Sequence, residues 1–589
     1  MPVESLPIFC SYDKQRFEQF GAMDCANWYQ VGSQTGKKKR AMYPAMGRAH
    51  VESLGENKLI FDGEPSQVWH TIDFFYAIVG TQVIQVDQYY QEKVIGSVPL
   101  GSTTWFAFLE VGTAVYAILT AETKMYIIAE TGAAVTYQEV TDASAPTSPQ
   151  YVAAFGNRFV VSQKDTPDYY LSQLNAGGAG DPTTLFTISG AALVNRASGR
   201  VRQFGVLHNQ LYIFTDFSVD PWSNIPSQFT VAGAQTEFPW KLNSSYNFNY
   251  GIRDPKSLDV DFGKMVWLAQ NRSGQISFMV STGQMPQEIT TEAVDVLLSD
   301  STSDFSDPTF LKGNTNGFLY EYENTTFYRV SAGTYDSNQI LDQTNDANCI
   351  EYNFATNTWS RCIEVNGERN RITKHIFFKD NHLVTVQGDP AMYRMAGNIY
   401  RNELRNADVD RQADNAFLKF PMRYTLVTEH IFMEDYAEFI TDYVEIDFVF
   451  GNRTFYKNAT AFGDTIFIIA EDSDDDDCPI YIISEDADAG SQPIFHIIEG
   501  TNTPQFDDNH YNTLFKPHLE LYWSDDGGVS FHSADVREFS RLGQYRYRMR
   551  WYEMGASRNR CYALVAVSSA PIVILGGTHN IRRASGGAN

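Results

Sequence analysis

Long apolar segments are missing from this 589-residue chain. The longest runs, FFYAIVG at 74–80 and TIFIIA at 465–470, fall far short of the roughly 20 residues that span a bilayer. The opening MPVESLPIFCSYDKQRF has no basic stretch leading into an apolar one, so we expect no secretory signal. The sequence therefore predicts no membrane insertion, folding in a cytoplasm, and enough length for two or three domains.

Cysteine is also scarce, and the usual catalytic and metal-binding motifs are absent. The six cysteines form no CxxC pair and lack the histidine spacing of a zinc site, so we interpret them as reduced structural thiols. The metalloprotease motif HExxH, the phosphate loop GxxxxGK[ST] and the nucleophile elbow GxSxG do not occur. The sequence thus predicts no cofactor and no catalytic residue.

Basic residues are in the minority. The chain has 45 lysines and arginines against 71 acidic residues, a net charge of −26. Proteins that grip nucleic acid neutralise its phosphates with basic side chains, so this balance argues against tight DNA binding. Any DNA partner would be repelled or would slide past, although ordinary solubility of a large acidic protein explains the charge equally well.

Helical periodicity is nearly absent, and short β-branched and aromatic runs alternate with turns throughout the first 400 residues. The turn centres include Gly156-Asn157, His208-Asn209 and Lys379-Asp380, residue types that tolerate the positive φ of tight hairpins. The hairpin units begin near 74, 114, 153, 207, 262, 317 and 374, a spacing of roughly 40 to 60 residues that is typical of propeller blades. We therefore predict an all-β protein with a six-bladed β-propeller, the alternative being a string of β-sandwiches.

The texture of the chain changes after about residue 405, which sets the predicted domains. Residues 1–65 are predicted as an N-terminal arm with the first strands, contacting an adaptor or a neighbour, and 66–405 as the propeller. Residues 406–589 are predicted as a C-terminal β-sandwich-like domain with a long acidic insertion at about 453–515. Within that insertion Asp472, Asp474 and Asp476 are weak calcium candidates, with a solvated acidic loop tip as the alternative.

One short motif raises the question of a glycosidase. In YWSDDGGVSF (522–531), Ser524, Asp526, Gly528 and Phe531 fit the Asp box pattern S-x-D-x-G-x-x-[WF] of sialidase propellers. The box occurs once, outside the predicted propeller, and its Asp and Gly are suited to folding a turn. We interpret it as a structural hairpin.

Basic residues cluster at two places that could contact another subunit. In QYRYRMRWY (544–552), Arg546, Arg548 and Arg550 alternate with aromatic residues and methionine, so a strand would place the arginines on one face and the apolar groups in a core. On so acidic a chain we expect their partner to be a carboxylate patch on a neighbouring subunit. The second cluster, predicted as a basic subunit contact, comprises Lys37, Lys38, Lys39 and Arg40.

Several phrases resemble the tail hub, or nozzle, proteins of short-tailed bacteriophages (podoviruses), also called packaged-DNA stabilisation proteins. The resemblance spans most of the chain. The phrases that carry it are MPVESLP (1–7), KKKRAMYPAMG (37–47), FFYAIVGTQVIQVD (74–87), FGNRFVVSQKDTPDYYLSQL (155–174), LHNQLYIFTDFSVDPWSN (207–224), FGKMVWLAQNRSG (262–274), IEYNFATNTWSR (350–361) and the ending 521–571. The chain departs from the family where no glycine follows Pro44 and in the length of its insertion.

The resemblance implies a structural virion protein of the tail, assembled in the host cytoplasm and not an enzyme. It implies a homohexameric ring below the portal and its head-to-tail adaptor protein that retains the genome and conducts double-stranded DNA without sequence-specific binding. Tail fibres or spikes would dock on it. The alternatives are a tail fibre or receptor-binding β protein, which would more often be trimeric, and a glycan-cleaving propeller enzyme.

Overall fold

The computed structural model describes a β protein with one α-helix among the residues that it covers. These are residues 3–9, 11–14, 22–32, 39–52, 58–132, 134–174, 181–188, 191–231, 234–243, 248–299, 315–332, 349–406, 416–433, 435–450, 466–468, 481–484, 494–497, 518–538 and 546–584. No helix in this part of the chain is long and apolar enough to cross a membrane.

Most strands form seven antiparallel sheets of four main strands each, which we call blades 1 to 7, listed here from the inner to the outer strand. Blade 1 comprises Pro65–His70, Phe75–Val79, Gln82–Val86 and Glu92–Ser97; blade 2 comprises Thr104–Val111, Ala114–Ala121, Lys124–Thr131 and Ala134–Glu139. Blade 3 comprises Pro149–Phe155, Arg158–Gln163, Asp168–Leu171 and Ala191–Arg196, with Thr187–Ile188 beside the last; blade 4 comprises Val201–Leu207, Gln210–Thr215, Val219–Ser223 and Lys241–Leu242. Blade 5 comprises Asp259–Asp261, Lys264–Gln270, Ile276–Ser281 and Gln287–Glu288, with Gly251–Ile252 also pairing its second strand. Blade 6 comprises Asn316–Tyr322, Thr325–Ser331, Cys349–Asn353 and Thr358–Arg361; blade 7 comprises Ile372–Phe378, Asn381–Val386, Met392–Ala396 and Gly47–His50.

The blades close into a ring around one axis. From blade 2 to blade 7 each inner strand lies against the next, and the inner strand of blade 7 lies against that of blade 1. Blades 1 and 2 meet through Trp69 and Phe106, whose stacked ring centroids are 5.5 Å apart. The predicted β-propeller is thus confirmed, with seven blades where the sequence predicted six. The seven blades correspond to the seven hairpin units of the sequence. The unit near 374 supplies only three strands, and its fourth, Gly47–His50, comes from before blade 1.

Local turn chemistry explains the hairpins within the blades. Both central residues have positive φ in the turns Gly156-Asn157, His208-Asn209, Phe262-Gly263 and Lys379-Asp380, as the mirror-image turns of two-residue hairpins require. Aromatic side chains then fill the gaps between blades. Trp359 of blade 6 is buried against Phe278 of blade 5, with ring centroids 5.2 Å apart, and its indole N–H donates to the Ile289 carbonyl.

Three smaller elements decorate blades 4 and 5. The hairpin Ser227–Val231 with Ala234–Phe238 lies between the third and fourth strands of blade 4. The 3-10 helix Pro255–Ser257 precedes the inner strand of blade 5, and Asp254 caps it by accepting from the Lys256 N–H. The α-helix Glu292–Ser299 follows blade 5 and packs its apolar residues into the core shared with blade 6.

The remaining main strands form a sandwich of two sheets. The first has the strand order Trp28–Gly32, Arg40–Pro44, Ile572–Arg583, Phe439–Phe450 and Arg546–Ser557, with Val3–Ser5 also pairing Ile572–Arg583. The second contains Ala22–Ala26, Phe417–Val427, Cys561–Ser568, His518–Ser524 and His532–Glu538, with Asp13–Lys14 and Arg401–Arg405 at its borders. Of the predicted insertion, the structure describes the paired strands Ile466–Ile468, Tyr481–Ser484 and Ile494–Ile497.

The described strands among the first 50 residues belong to both domains and do not form a separate arm. Where the sequence placed residues 1–65 outside the domains, strands up to Arg40–Pro44 lie in the sandwich and Gly47–His50 closes blade 7. The sandwich core accordingly combines Trp28 and Met42 with Phe439 and Trp551. Strand pairing continues across the junction, since Arg401–Arg405 pairs with both Gly47–His50 and Phe417–Val427.

Candidate functional site

The inner strands of all seven blades surround a cavity of about 500 Å³ on the propeller axis. Most of the residues that line it are aromatic or aliphatic, while the surface that they expose to it is more polar than apolar. The residues that line it are Val68, Trp69, His70, Phe106, Ala107, Phe108, Val152, Ala153, Ala154, Gln203, Phe204, Gly205, Val206, Leu258, Asp259, Val260, Asp261, Leu319, His375, Ile376 and Phe377.

Asp259 is the most perturbed acidic group of this cavity. Its carboxylate accepts hydrogen bonds from the backbone N–H of Leu319 at 2.6 Å, in the neighbouring blade, and of Val260 at 2.9 Å. Burial raises the pKa of Asp259 to about 7, because protein atoms surround the carboxylate and disfavour its charge. The residue as a whole is partly buried, and it lines the cavity.

Two histidines form a neutral pair at the cavity wall. The ring nitrogens His375 Nε2 and His382 Nδ1 lie 2.9 Å apart, and the His375 ring stacks on Phe318 with centroids 5.0 Å apart. Burial lowers the pKa of both histidines, that of His375 to well below its usual range. Sequence reasoning missed this pair. The only local signal was their position on two paired strands: His375 precedes the turn Lys379-Asp380 and His382 follows it.

Metal-binding groups are not assembled in the part of the chain that the structure covers. No cluster of three or more histidine, cysteine, aspartate or glutamate side chains there has the geometry to hold an ion. The calcium candidates Asp472, Asp474 and Asp476 lie outside the described residues.

The Asp box forms a tight loop at the end of the strand His518–Ser524. Asp526 Oδ1 accepts from the Ser524 hydroxyl at 2.6 Å and from the backbone N–H of Ser530 at 2.9 Å. The Gly528 N–H donates to Ser524 Oγ, and Gly528 has a φ of 95°. Phe531 is exposed, so the loop holds its own backbone and presents no enclosed pocket of its own.

We expect Asp526→Ala to destabilise the sandwich by about 1 kcal/mol, the size of a few exposed hydrogen bonds. The hydroxyls of Ser524 and Ser530 hold the pKa of Asp526 below its usual range. A lowered folded-state pKa stabilises the protein above the unfolded pKa, about 3.9, and that stabilisation is lost as the pH falls below it. Thermal unfolding should therefore show a gap between wild type and variant at pH 7 that closes toward pH 2. Val529→Ala, an exposed change in the same loop, is the control, and a gap independent of pH would contradict the prediction.

The alternating arginines lie on the edge strand Arg546–Ser557 of the first sandwich sheet, as the structure describes it. Met549 and Trp551 are buried in the core, while the side chains of Arg548 and Arg550 are 61% and 41% exposed. Both guanidinium groups pair with Glu445 of the adjacent strand, Arg550 through Nε at 2.9 Å and Arg548 more loosely at 3.7 Å. These arginines thus already have a carboxylate partner within the chain, which the sequence had placed on a neighbouring subunit. The side chain of Arg546 is outside the described part.

The second basic cluster is described only in part. Lys39 and Arg40 are exposed at the start of the strand Arg40–Pro44, while Lys37 and Lys38 lie outside the described residues. The two clusters lie on strands of one sheet, separated by Ile572–Arg583 and Phe439–Phe450. A contact role for either cluster stays a prediction.

The propeller matches a known phage family. Residues 51–334, just under half of the chain, match the family model described as Bacteriophage P22 Gp10, beta-propeller. The matched segment runs from the end of the closing strand of blade 7 through the second strand of blade 6. The match supports a phage structural protein of the tail or DNA-stabilising type, and hence a virion component.

Solved structures show weaker similarity. The Pan2 WD40 domain of Neurospora crassa is 9% identical with a TM-score of 0.31, and the match covers 56% of this chain and 89% of that one. The N-terminal domain of Nup159 is 10% identical with a TM-score of 0.31, over 62% of this chain and 97% of that one. The catalytically inactive virginiamycin B lyase from Staphylococcus aureus with quinupristin is 10% identical with a TM-score of 0.29, over 60% and 99%. No curated protein matches the chain. The case for the propeller therefore rests on its strand pairing and on the family match.

Proposed function

We propose that this chain is the tail hub, or nozzle, of a short-tailed phage. In this proposal six copies form a ring below the portal and its adaptor protein, retain the packaged genome, conduct the DNA during ejection and carry the tail fibres or spikes. The observation that carries the proposal is the family match over the propeller. The chain acts as a structural part of the virion, assembled in the host cytoplasm, and not as an enzyme.

The size of the propeller cavity supports a path for DNA between subunits. A cavity of about 500 Å³ falls within the range of small-molecule sites, roughly 300–1,000 Å³. Duplex DNA, whose major groove alone is about 12 Å wide, cannot thread such a space. A DNA conduit must therefore be built from several copies, and a closed ring of one subunit uses head-to-tail interfaces that close by rotation.

The charge of the chain fits a conduit better than a clamp. With −26 charges per copy, a ring would repel phosphate and avoid the adhesive contacts that slow a moving duplex. A propeller also suits this role mechanically, because each sheet packs between two others and leaves short, protected edges.

Oligomeric state is the direct test of this proposal. Native mass spectrometry of the purified chain should find hexamers, and negative-stain images of the chain mixed with portal and adaptor should show six-fold rings capping the adaptor. A trimer would overturn the ring and favour a fibre or receptor-binding protein. Release of sugar from glycosides, lost on replacing one carboxylate of the propeller cavity, would overturn the non-enzymatic role.

Arg548→Glu is expected to raise the dissociation constant of the ring at least about tenfold, because it reverses a charge whose side chain is 61% exposed on the strand Arg546–Ser557. Arg196→Glu is the matched control, since Arg196 is 71% exposed and pairs with Asp168 on blade 3. Mass photometry over a dilution series measures both variants. If both variants dissociate equally, the strand Arg546–Ser557 does not lie in the interface. Whether the ring forms at all is then decided by the measurement on the wild type.

A further inference from the structure

The axial cavity combines aromatic side chains with polar surface. Trp69 and Phe106 stack side by side, and Phe108 lies next to them with its ring centroid 6.5 Å from that of His70. All three residues are only partly buried although they lie inside the propeller, and all three line the cavity. On blades 3 and 4 the lining includes the small residues Ala153, Ala154 and Gly205.

The charge inside the cavity has one sign. Asp259 and Asp261 project from the inner strand of blade 5, and the described lining contains neither lysine nor arginine. The two lining histidines are His70 and His375, and burial keeps His375 neutral. A ligand in this cavity therefore meets carboxylates and aromatic faces, both of which attract positive charge.

We propose that the axial cavity of the propeller binds an organic amine cation, with Asp259 as its counterion and Trp69, Phe106 and Phe108 as its apolar walls. The ammonium group donates to the carboxylate, and the body of the amine packs against the rings. A bare metal ion fits less well, since the described residues assemble no set of three ligands. An anion would face two carboxylates with no opposing basic group in the described lining. This site is independent of ring assembly and goes beyond a DNA conduit.

The charged and titratable groups around Asp259 come from three directions. Asp261 lies on the same strand and raises the pKa of Asp259 by repulsion, after the larger effect of burial. Tyr328 lies in the next blade, where burial and then the charge of Asp259 raise the tyrosine's pKa, so it stays neutral. His70 and His375 face the same cavity from blades 1 and 7. No lysine or arginine of the described lining neutralises this carboxylate, so a bound cation would supply the positive charge.

Isothermal titration calorimetry of the full-length chain with benzylamine, against benzyl alcohol as its neutral analogue, tests the site. We expect saturable binding of benzylamine and at least tenfold weaker binding of benzyl alcohol. Asp259→Asn should weaken benzylamine binding at least tenfold, because the amide carries no charge; its single oxygen keeps one of the two backbone hydrogen bonds. Asp435→Asn removes one exposed carboxylate of the sandwich and should bind like wild type.

Two further measurements keep the test decisive if Asp259→Asn folds poorly. Phe108→Ala removes one of the proposed apolar walls without changing the charge of the cavity and should weaken benzylamine binding. Benzylamine should bind about 30-fold more weakly at pH 5.5 than at pH 8, the ratio of ionised fractions for a carboxyl with a pKa of about 7. Absence of saturable binding, equal affinity for benzyl alcohol, or equal loss in Asp259→Asn and Asp435→Asn would each overturn the proposal.

Discussion

Arg48→Ala is expected to lower the free energy of unfolding by about 3–5 kcal/mol, the cost of removing one partner of a buried ion pair. The Arg48 side chain is fully buried, and its Nη1 donates to Glu364 Oε1 at 2.7 Å. Its Nε donates to the backbone carbonyl of Glu403 at 3.1 Å. Removal of the guanidinium would leave the Glu364 carboxylate buried with only the Asn402 amide and the Arg371 N–H as partners.

The position of Arg48 determines where this loss should appear. Arg48 lies on the strand Gly47–His50, which completes blade 7 and also pairs with Arg401–Arg405, the strand that leads to the sandwich. On the same strand, the backbone N–H of His50 donates to the Glu403 carboxylate at 2.9 Å. Burial alone would raise the pKa of Glu403, but the hydrogen bond from His50 and the charge of Arg401 outweigh it and lower the pKa to about 2. The ionised cluster thus fastens the closing strand to both domains.

Hydrogen exchange is the measurement suited to Arg48→Ala, because the chain has two domains and need not unfold in one step. Protection should fall in Gly47–His50 and Met392–Ala396, while the strands of blades 2 and 3 keep theirs. The double variant Arg48→Met with Glu364→Met should recover most of the stability, since it removes the unpaired charge. Arg196→Ala, which breaks an exposed pair, should cost less than about 1 kcal/mol. Uniform loss of protection over all blades would contradict a local closing role.

Features of the fold that depend on neighbouring residues could be predicted from the sequence. Two-residue turns such as His208-Asn209 require positive φ, and that requirement is local, so the hairpins and the propeller followed from residue type and spacing. The alternation of Arg548 and Arg550 with Met549 and Trp551 likewise followed from the two-residue period of a strand.

Features that depend on distant pairing could not be predicted. The strand that closes blade 7 has four residues and pairs with Met392–Ala396, more than 300 residues later in the chain. Nothing in GRAH at 47–50 marks it as the outer strand of a blade, and this is why the sequence did not show how the last blade is completed. The sandwich strands among the first 44 residues were assigned to a separate arm for the same reason.

The candidate cavity shows the same division. The Asp box could be interpreted correctly as a turn, because Asp526 bonds residues within four positions of it. Asp259 of blade 5, by contrast, accepts a hydrogen bond from the Leu319 N–H of blade 6, some 60 residues later in the chain. The cavity forms only when the seven inner strands have closed around it. A sequence pattern of two carboxylates on a three-residue strand carries no sign of that enclosure.

Trp28→Ala is expected to destabilise the sandwich by about 3–5 kcal/mol, the usual cost of deleting a large buried aromatic side chain. Trp28 is 0% exposed, stacks on Tyr424 with ring centroids 5.2 Å apart, and donates its indole N–H to the Ile572 carbonyl at 3.0 Å. Truncation would remove the aromatic contact and leave a cavity between the two sheets. It would also leave the Ile572 carbonyl without its hydrogen-bond donor.

This substitution separates the observed domain organisation from the predicted one. If residues 1–65 formed an independent arm, a change at position 28 would leave the C-terminal domain intact. Because Trp28 lies in the sandwich core, we expect protection from hydrogen exchange to fall in Phe417–Val427 and Ile572–Arg583 while blades 2 to 5 keep theirs. Phe432→Ala removes an aromatic ring that is 52% exposed in the same domain and should change stability by no more than about 0.5 kcal/mol. A loss for Trp28→Ala as small as that of Phe432→Ala would contradict the shared core.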